Sequence, residues 1–334
     1  MKQGWEVKTI DEVCEVINGG TPKTNIKEFW EGNIYWITPA EMGKRSSPYV
    51  NDTERKLTEK GLSNSSAKLL PPQSVILSSR APIGHLVINT VSMAFNQGCK
   101  GLLSKEGLNN KYLYYYLYAN VDLLNSLGTG ATFKELSGAK LKSILIPFPK
   151  SIQEQQRIVT ILDEAFAAIA QTKANAEQNL KNAKELFESY LQSVFENKGD
   201  GWEEKTLKEL TTHLGDGLHG TPKYTIDGDY HFINGNNLKD GVIEFKSSTK
   251  KVSIEEFNQH KKNLTDRTIL VSINGTLGNI AFYNNEKIIL GKSACYFNMK
   301  ENVDKNYIKY VLSSPYFLTY AHKEATGATI KNVS

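Results

Sequence analysis

The sequence predicts an α+β protein in which one long α-helix joins two tandem, loop-rich domains. Short motifs occur twice in the same order, and residues 151–197 between the two copies contain no proline and no glycine. Within each copy, short apolar runs alternate with turn residues, which favours short strands over long helices. The predicted domains are therefore residues 1–150, the helix 151–198, and residues 199–334.

The two copies keep a constant register along the chain. The offset between paired motifs stays between 194 and 200 residues, and a register of that kind indicates a tandem duplication. Three of the pairs are Gly4–Ile10 with Gly201–Leu207, Thr21–Lys23 with Thr221–Lys223, and Thr129–Lys134 with Thr326–Lys331. Because Ser334 aligns with Ser137, we expect the second copy to be incomplete and to lack its own long helix.

Local patterns predict the elements within each copy. Apolar runs on both sides of a glycine-containing loop predict strand, loop, strand, at Val75–Leu77 with Leu86–Ile88 and again at Ile269–Val271 with Ile280–Phe282. Residues 112–120 are the best candidate for a helix in the first copy. Residues 141–147 are expected to form a strand that closes that copy.

The stretch after residue 150 has the signature of a long helix. Ser151 and Glu154 have the spacing of a capping box, and a helix up to residue 197 would be about 70 Å long. Its apolar residues recur at helical spacing, and such a stripe has to pack against a partner helix. The predicted packing residues are Ile158, Ile161, Leu162, Phe166, Leu186, Phe187, Tyr190, Leu191 and Phe195.

Composition excludes several classes of protein. A hydrophobic fraction of 40% suffices for packed cores, and no apolar run is long enough to cross a membrane. The start of the chain lacks the apolar segment of a signal peptide, so a cytoplasmic location is expected. Three distant cysteines without a CxxC pair argue against a disulfide scaffold or a zinc site. The formal net charge of +4 permits nucleic-acid binding without demanding it.

No catalytic constellation is recognisable. Gly291-Lys292-Ser293 resembles the end of a P-loop, but the glycine that the motif needs is replaced by Glu286. The six histidines show no metal-ligand spacing, and no methyl-donor signature is present. We therefore expect a chain that is not an enzyme by itself, with no catalytic residue, no metal and no cofactor of its own.

Several motifs together resemble one family. These are the Gly-Trp-Glu start, Gly19–Lys23, Tyr35–Thr38, Ser78–Gly84, Asn96–Cys99, Gly128–Lys134 and Ile146–Ile158. In this combination they resemble the DNA specificity subunit of type I restriction–modification systems. The resemblance implies two target recognition domains, each reading half of a split double-stranded DNA site, and two long helices that pair as an antiparallel coiled coil.

The resemblance also implies partners. The specificity subunit of the family docks two modification subunits, which methylate adenine with S-adenosylmethionine. It also docks two restriction subunits, which use ATP and Mg²⁺. Because the second helix is expected to be missing here, two copies of this chain could instead pair through the single helix as a homodimer.

The loops of both copies carry residue types suited to DNA. Phosphates need cationic or hydroxyl donors, and base edges need paired donors and acceptors. In the first copy the candidates are Thr21, Lys23, Arg80, Asn96, Gln97, Thr129, Thr132 and Lys134. In the second copy they are Thr221, Lys223, Asn274, Lys292, Ser293, Thr329 and Lys331. Arg80 aligns with Asn274, which predicts different half-sites, whereas Trp36 and the tyrosines 114–116 are expected in the core.

Two other functions remain open from the sequence. One is a stand-alone DNA-modifying enzyme, against which the missing catalytic signatures argue. The other is a scaffold that binds no nucleic acid and uses its helix only to tether partners. Each candidate DNA contact also has a structural alternative, since Thr21 can shape a turn and Arg80 can form an ion pair within the fold.

Overall fold

The computed structural model describes residues 3–80, 82–130, 134–275 and 277–325. The chain separates into two compact units, residues 1–173 and 174–334, and the boundary between them lies within the long helix. Helices and strands are mixed in both units, so the predicted α+β class is confirmed.

Among its described residues the first unit has eleven strands and seven α-helices, the last of which continues into the second unit. The strands are β1 (Trp5–Thr9), β2 (Cys14–Asn18), β3 (Trp30–Ile37), β4 (Tyr49–Val50), β5 (Arg55–Leu57), β6 (Leu69–Leu70), β7 (Val75–Ser79), β8 (Ile83–Asn89), β9 (Met93–Phe95), β10 (Cys99–Ser104) and β11 (Leu145–Pro149). The helices are α1 (Ile10–Val13), α2 (Pro39–Met42), α3 (Glu59–Ser63), α4 (Asn110–Ala119), α5 (Val121–Leu127), α6 (Gly138–Lys142) and α7 (Ile152–Glu196).

Three sheets organise this unit. A five-stranded sheet has the order β2-β10-β7-β8-β4, and a four-stranded sheet has the order β5-β3-β9-β6. The β1–β11 pair brings the start of the unit to its closing strand, with Trp5 opposite Pro149. One core lies between the first sheet and helices α4 to α6, and it includes Leu77, Leu113 and Leu141.

The second unit also has two larger sheets and one two-stranded sheet. Its strands are β12 (Thr211–Asp216), β13 (Tyr224–Thr225), β14 (Tyr230–Ile233), β15 (Leu238–Lys239), β16 (Val242–Ile243), β17 (Lys251–Val252), β18 (Thr268–Ser272), β19 (Ile280–Phe282), β20 (Ile288–Leu290) and β21 (Ala294–Met299). Its helices are α8 (Leu207–Leu210), α9 (Ile254–His260), α10 (Lys305–Ser313) and α11 (Pro315–Glu324). The sheets run β12-β21-β18-β19, β13-β17-β14-β20 and β15-β16.

The duplication extends to individual hydrogen bonds. Thr9 and Thr206 each open a short helix with a full capping box. Both units also share a set of matching backbone bonds, described by donor and acceptor. They are Gly19 to Cys99 with Gly217 to Ala294, Gly20 to Phe95 with Leu218 to Leu290, and Ser79 to Gly98 with Ile273 to Ser293. The repeat found in the sequence is therefore a repeat of the folded framework.

Helix α7 spans nearly the predicted stretch, from Ile152 to Glu196. The hydroxyl of Ser151 accepts a hydrogen bond from the backbone N–H of Glu154 at 3.3 Å, as the capping sequence predicts. The predicted helix at 112–120 is also confirmed, as α4 at Asn110–Ala119.

One local prediction was wrong. The residues expected as a strand at 141–147 are divided between α6, which ends at Lys142, and β11, which begins at Leu145. The reason is a helix cap: the hydroxyl of Ser137 accepts from the N–H of Lys140 at 3.3 Å and starts a helical turn. Leu141 therefore enters the core from a helix.

Candidate nucleic-acid interface

Three loops of the first unit meet at one edge of the five-stranded sheet. Strand β10 lies between β2 and β7, antiparallel to both, with Lys100 opposite Asn18 and Cys99 opposite Ser78. The end of β2, the start of β10 and the end of β7 consequently lie side by side. The loop after Asn18, the turn before Cys99 and the turn after Ser79 are therefore neighbours, and most first-copy candidates lie on them.

Asn96 joins two of these loops. Its Nδ2 donates to Oγ1 of Thr21 at 2.9 Å, and its Oδ1 accepts from the N–H of Gly98 at 2.8 Å. Both polar ends of the Asn96 side chain are thus used inside the protein. Gln97, next in the chain, is exposed and takes part in no such bracing in the described structure.

Arg80 lies at the third loop and faces an acid. Its Nη1 is 3.8 Å from Oε2 of Glu135, and the other oxygen of that carboxylate is 3.8 Å from Nζ of Lys100. Arg80 and Glu135 are each more than one-third exposed, whereas the Lys100 side chain is only 8% exposed. Arg80 therefore belongs to an ion cluster with Glu135 and Lys100, of which Lys100 is the buried member.

The strand-like segment around Glu135 supplies two further candidates. Thr129 and Glu135 exchange backbone hydrogen bonds of 3.0 and 2.9 Å, and the side chains of Thr129 and Lys134 are exposed. The bridges of Glu135 to Thr129 and to Arg80 bring this segment beside Arg80. Thr132 lies outside the described residues.

The loop from Gly19 to Lys23 rests on two tryptophans. Trp36 donates from Nε1 to the carbonyl of Gly20 at 2.9 Å, and Trp30 donates from Nε1 to the carbonyl of Lys23 at 3.2 Å. Trp36 is fully buried, as predicted, and the guanidinium of Arg55 lies 3.5 Å above the Trp30 ring. The backbone of the loop is fixed from below while the Lys23 side chain is exposed.

The tyrosines 114–116 also belong to the core region. Tyr114 and Tyr115 are buried, and Tyr116 packs partly buried against the same cluster.

Below the loops, burial raises the pKa of the Cys99 thiol to about 12, so this cysteine is a protonated core residue at neutral pH.

The second unit exposes a parallel set of loop residues. The side chains of Thr221, Lys223 and Lys292 are exposed, and Asn274 is partly exposed. Lys223 has its backbone N–H bound by Oε1 of Glu256 at 2.9 Å, which leaves its ammonium group outward. Thr329 and Lys331 lie outside the described residues.

The hydroxyl of Ser293, like the side-chain amide of Asn96, is used inside the protein. It donates to Oδ1 of Asn234 at 3.0 Å and accepts from the N–H of Gly235 at 2.8 Å. Asn234 was not among the predicted residues. The Asn234–Ser293 bond joins the loop after β14 to the turn before β21. In the first unit, the Asn96–Thr21 bond likewise joins a loop, the one after β2, to the turn before β10.

The backbone bonds refine the match between the two copies. Asn96 accepts from Cys99 through its carbonyl, and Gly291 accepts in the same way from Ala294. Asn96 therefore corresponds to Gly291, and Gln97 to Lys292, one position from the sequence alignment. Arg80 still corresponds to Asn274, because Ser79 and Ile273 make the same bond immediately before them.

Sequence reasoning missed Glu135 and Lys100. Both lie next to predicted residues or motifs, but their relationship depends on a strand order that local patterns do not give. In the second unit the position of Lys100 is taken by Cys295, which pairs with Val271 as Lys100 pairs with Leu77. The ion cluster is thus a feature that the described part of the second unit does not repeat.

The apolar residues of α7 divide into packed and exposed ones. Ile158 and Leu162 pack on the core of the first unit, and Leu191 and Phe195 are buried in the second. Phe166 stacks on Tyr115 at 5.5 Å between ring centroids, although it is 40% exposed. Half or more of each remaining predicted side chain is exposed, namely Ile161, Leu186, Phe187 and Tyr190. Four of the nine predicted residues are therefore covered by their own unit, where Phe195 packs against Tyr307 of α10 at 5.9 Å between ring centroids.

The described residues contain no group of His, Cys, Asp and Glu side chains that could hold a metal ion. None of the helices in this part of the chain is long and apolar enough to cross a bilayer.

Comparison with known proteins identifies the family. The profile described as "Type I restriction modification DNA specificity domain" matches residues 2–182 and again residues 199–334. The chain is 32% identical over 277 residues to the type I restriction enzyme MjaIX specificity subunit of Methanocaldococcus jannaschii, covering 78% of this chain and 64% of that protein. It is 32% identical over 197 residues to the EcoR124I/EcoR124II specificity subunit of Escherichia coli, covering 57% and 48%. The chain thus spans about half to two-thirds of the length of these relatives.

The fold agrees with this assignment. The crystal structure of the HsdS subunit from Thermoanaerobacter tengcongensis superposes with a TM-score of 0.59 at 15% identity, covering 100% of this chain and 84% of that one. A likeness at this level of identity concerns the fold alone. The two profile matches, one for each repeat, show that the chain belongs to the family of type I restriction–modification DNA specificity subunits.

Proposed function

We propose that the chain is a non-catalytic DNA reader in which each repeat binds one half of a split double-stranded site. The observation that carries this proposal is the meeting of three loops at one sheet edge, where Arg80 and Gln97 present polar or cationic groups and Lys134 lies on the adjoining segment around Glu135. Such a surface offers donors for phosphates and for base edges at the same place.

The second repeat supports a bipartite site. Its framework keeps the same backbone bonds, while Asn274 replaces Arg80 and Lys292 replaces Gln97. Arginine pairs with guanine and asparagine with adenine in the major groove, so two units with these residues have different preferences. In this proposal the recognition domains are residues 1–150 and 199–334, and residues 151–198 form the helix between them.

The proposed partners are those of a type I system. The relatives named above are specificity subunits of type I restriction enzymes. We accordingly propose two modification subunits that use S-adenosylmethionine and two restriction subunits that use ATP and Mg²⁺, all in the cytoplasm. Co-expression of the tagged chain with its modification subunit tests this directly. We expect the two to co-purify as an assembly that methylates adenine.

Salt dependence of DNA binding distinguishes the proposal from a scaffold. Fluorescence anisotropy of a labelled random duplex gives the association constant at several salt concentrations. The logarithm of this constant should fall linearly with the logarithm of the salt concentration, with a slope of about −0.9 for each phosphate contacted. A flat plot would favour the scaffold, since no counterions would then be released. Transfer of labelled methyl groups to DNA by the chain alone would instead favour the stand-alone enzyme.

The split site has its own test, with one variant in each repeat. Arg80→Ala and Asn274→Ala are each combined with selection from a randomised duplex library, using the assembled complex. We expect each variant to relax one base position, and the two positions to fall in different half-sites. Loss of the same position in both variants would contradict a bipartite reading.

A further inference from the structure

The carboxylate of Glu135 bridges a buried cation and a surface cation. Its two oxygens lie 3.8 Å from Nζ of Lys100 and 3.8 Å from Nη1 of Arg80. The Lys100 side chain is 8% exposed and the Arg80 side chain 37%. Glu135 therefore connects the interior of the first unit to the surface that we propose reads DNA.

The backbone holds Glu135 at this place. Its N–H and C=O both bond to Thr129, and the next residue, Leu136, donates to the carbonyl of Ser79 at 2.8 Å. Arg80 and Glu135 form an antiparallel bridge as a result. These backbone bonds keep the main chain of Glu135 beside that of Arg80.

Lys100 fixes the direction of the carboxylate. A buried ammonium group without a counter-charge is strongly unfavourable, so its pairing with Glu135 is maintained in the folded protein. One oxygen is thereby directed inward. The other remains available to Arg80, and the orientation of Arg80 is set from the core through Glu135.

Gly98 gives the Arg80 side chain its space. A Cβ atom at this position would lie 3.2 Å from both Cγ and Nε of Arg80 and 3.1 Å from Oδ1 of Asn96. The Arg80 side chain thus lies against the backbone of the turn at Gly98.

We propose that Glu135 is a positioning and specificity-determining residue that restricts Arg80 to reading a guanine edge. A free arginine at this edge would bind phosphates of any sequence. When one side of the planar guanidinium faces Glu135, its charge is partly neutralised and its remaining donors keep one direction, as bidentate contact with guanine O6 and N7 requires. The inference rests on the proposed DNA-reading function.

The second repeat keeps the framework without two of the three charges. Cys295 and Asn274 occupy the positions of Lys100 and Arg80, and the matching backbone bonds are still made. Asn332, which aligns with Glu135, lies outside the described residues. This difference between the repeats favours a role in recognition over a role in folding.

Glu135→Gln in the full chain tests the proposal, with Glu106→Gln as the matched control on an exposed turn of the same unit. We expect Glu135→Gln to bind random duplex more tightly, with a salt slope steeper by about one. It should also lose preference at one guanine position by roughly 5- to 150-fold. The control should change neither the preference nor the slope to this extent.

Two further variants separate the explanations. Lys100→Met/Glu135→Gln removes the unpaired buried charge, so it should fold like the wild type and show the same loss of preference. In an Arg80→Ala background, Glu135→Gln should have no effect on base preference. If the Lys100→Met/Glu135→Gln variant folds but keeps the base preference of the wild type, the inference is overturned. If the wild-type chain shows no salt-dependent binding, the proposed function itself fails.

Discussion

Nδ2 of Asn96 donates a hydrogen bond to Oγ1 of Thr21 at 2.9 Å, across 75 residues of sequence. Because Thr21 accepts this bond, its own hydroxyl proton remains available to a ligand. Asn96 has no comparable freedom, since its oxygen is held by the N–H of Gly98. We therefore expect Asn96 to hold the two loops together and Thr21 to contact DNA.

Removing the loop brace should therefore affect stability as well as binding. Asn96→Ala leaves the N–H of Gly98 and the Thr21 hydroxyl without their partner, which should cost about 1–3 kcal/mol in the free energy of unfolding. Thr21→Val removes only one of the two bonds and should cost less. Urea unfolding of both variants checks this order, and an equal cost for the two would contradict it.

Lys134 and Arg80 should behave differently as DNA contacts. Lys134→Ala should weaken binding to all duplexes alike and lower the salt slope by about one, because an exposed ammonium contacts phosphate. Arg80→Ala should cost about 1–3 kcal/mol of discrimination at one base pair. Lys331→Ala carries the same expectation as Lys134→Ala, although Lys331 lies outside the described residues.

The exposed Lys105 provides the control for this pair. Lys105 follows β10 at the end opposite to the turn before Cys99, so Lys105→Ala removes a charge far from the three loops, and its salt slope should stay close to that of the wild type. If Arg80→Ala weakened every sequence equally, its assignment to base reading would be wrong.

Gly84 should not tolerate a side chain. Its φ is +110°, and a Cβ atom would lie 2.6 Å from Cγ1 of Val121. Gly84→Ala should destabilise the protein by about 1–3 kcal/mol through backbone strain and this clash. Val121→Ala in the same chain should relieve only the clash, which thermal unfolding of the double variant would show.

Gly138 is the matched glycine control. A Cβ atom there would meet Oδ1 of Asn18 at an ordinary 3.6 Å, and the residue opens helix α6. Gly138→Ala should be neutral or stabilise the protein by about 0.5–1 kcal/mol, because alanine favours helix and restricts the unfolded chain. Equal destabilisation at both glycines would contradict the argument from geometry.

Stability of the first unit should fall in alkaline solution. Burial raises the pKa of Tyr112 to about 12, and burial together with the hydrogen bond to Asp163 raises the pKa of Tyr115 further. The folded protein therefore keeps protons that the unfolded chain loses near pH 10. The stabilisation is complete below pH 10 and is lost as pH rises through the folded values.

Tyr115→Phe isolates part of this effect. The variant cannot ionise at position 115, so its free energy of unfolding should fall less between pH 9 and pH 12 than that of the wild type. Urea unfolding at several pH values provides the comparison, with Tyr118→Phe, on the exposed side of the same helix, as control. Parallel curves for the wild type and Tyr115→Phe would contradict the assignment.

The exposed part of α7 should support association. Leu186 and Tyr190 are 72% and 67% exposed on one helix, and such apolar surface favours pairing with another helix. We expect sedimentation at micromolar concentration to show a dimer that Leu186→Gln/Tyr190→Gln weakens, whereas Glu188→Gln should not. A monomer at all concentrations would remove the expectation of a homodimer.

Local signals were enough to predict the long helix and the central strands. Residues 151–197 lack proline and glycine and start with a serine cap, so α7 could be placed within a residue at each end. The apolar runs at 75–77 and 269–271 likewise became β7 and β18. The α6–β11 boundary was misread because a single cap at Ser137 outweighs the apolar pattern that follows.

The site could be predicted only as loops. The motifs pointed to Arg80, Asn96 and Thr21 singly, but their contacts depend on β10 lying between β2 and β7. That order results from pairing between distant residues, which periodicity does not encode. For the same reason the Glu135–Lys100 pair could not be found from the sequence.

The shared framework also bears on how such a protein can change over generations. Its repeated bonds are made by backbone groups, so they persist whichever side chains occupy the loop tips. A substitution at an exposed tip such as Gln97 or Lys292 costs little stability, because surface changes away from special features are nearly neutral. Under the proposed function, selection can therefore alter the preferred DNA sequence of either repeat at such tips without exposing the chain to misfolding and degradation.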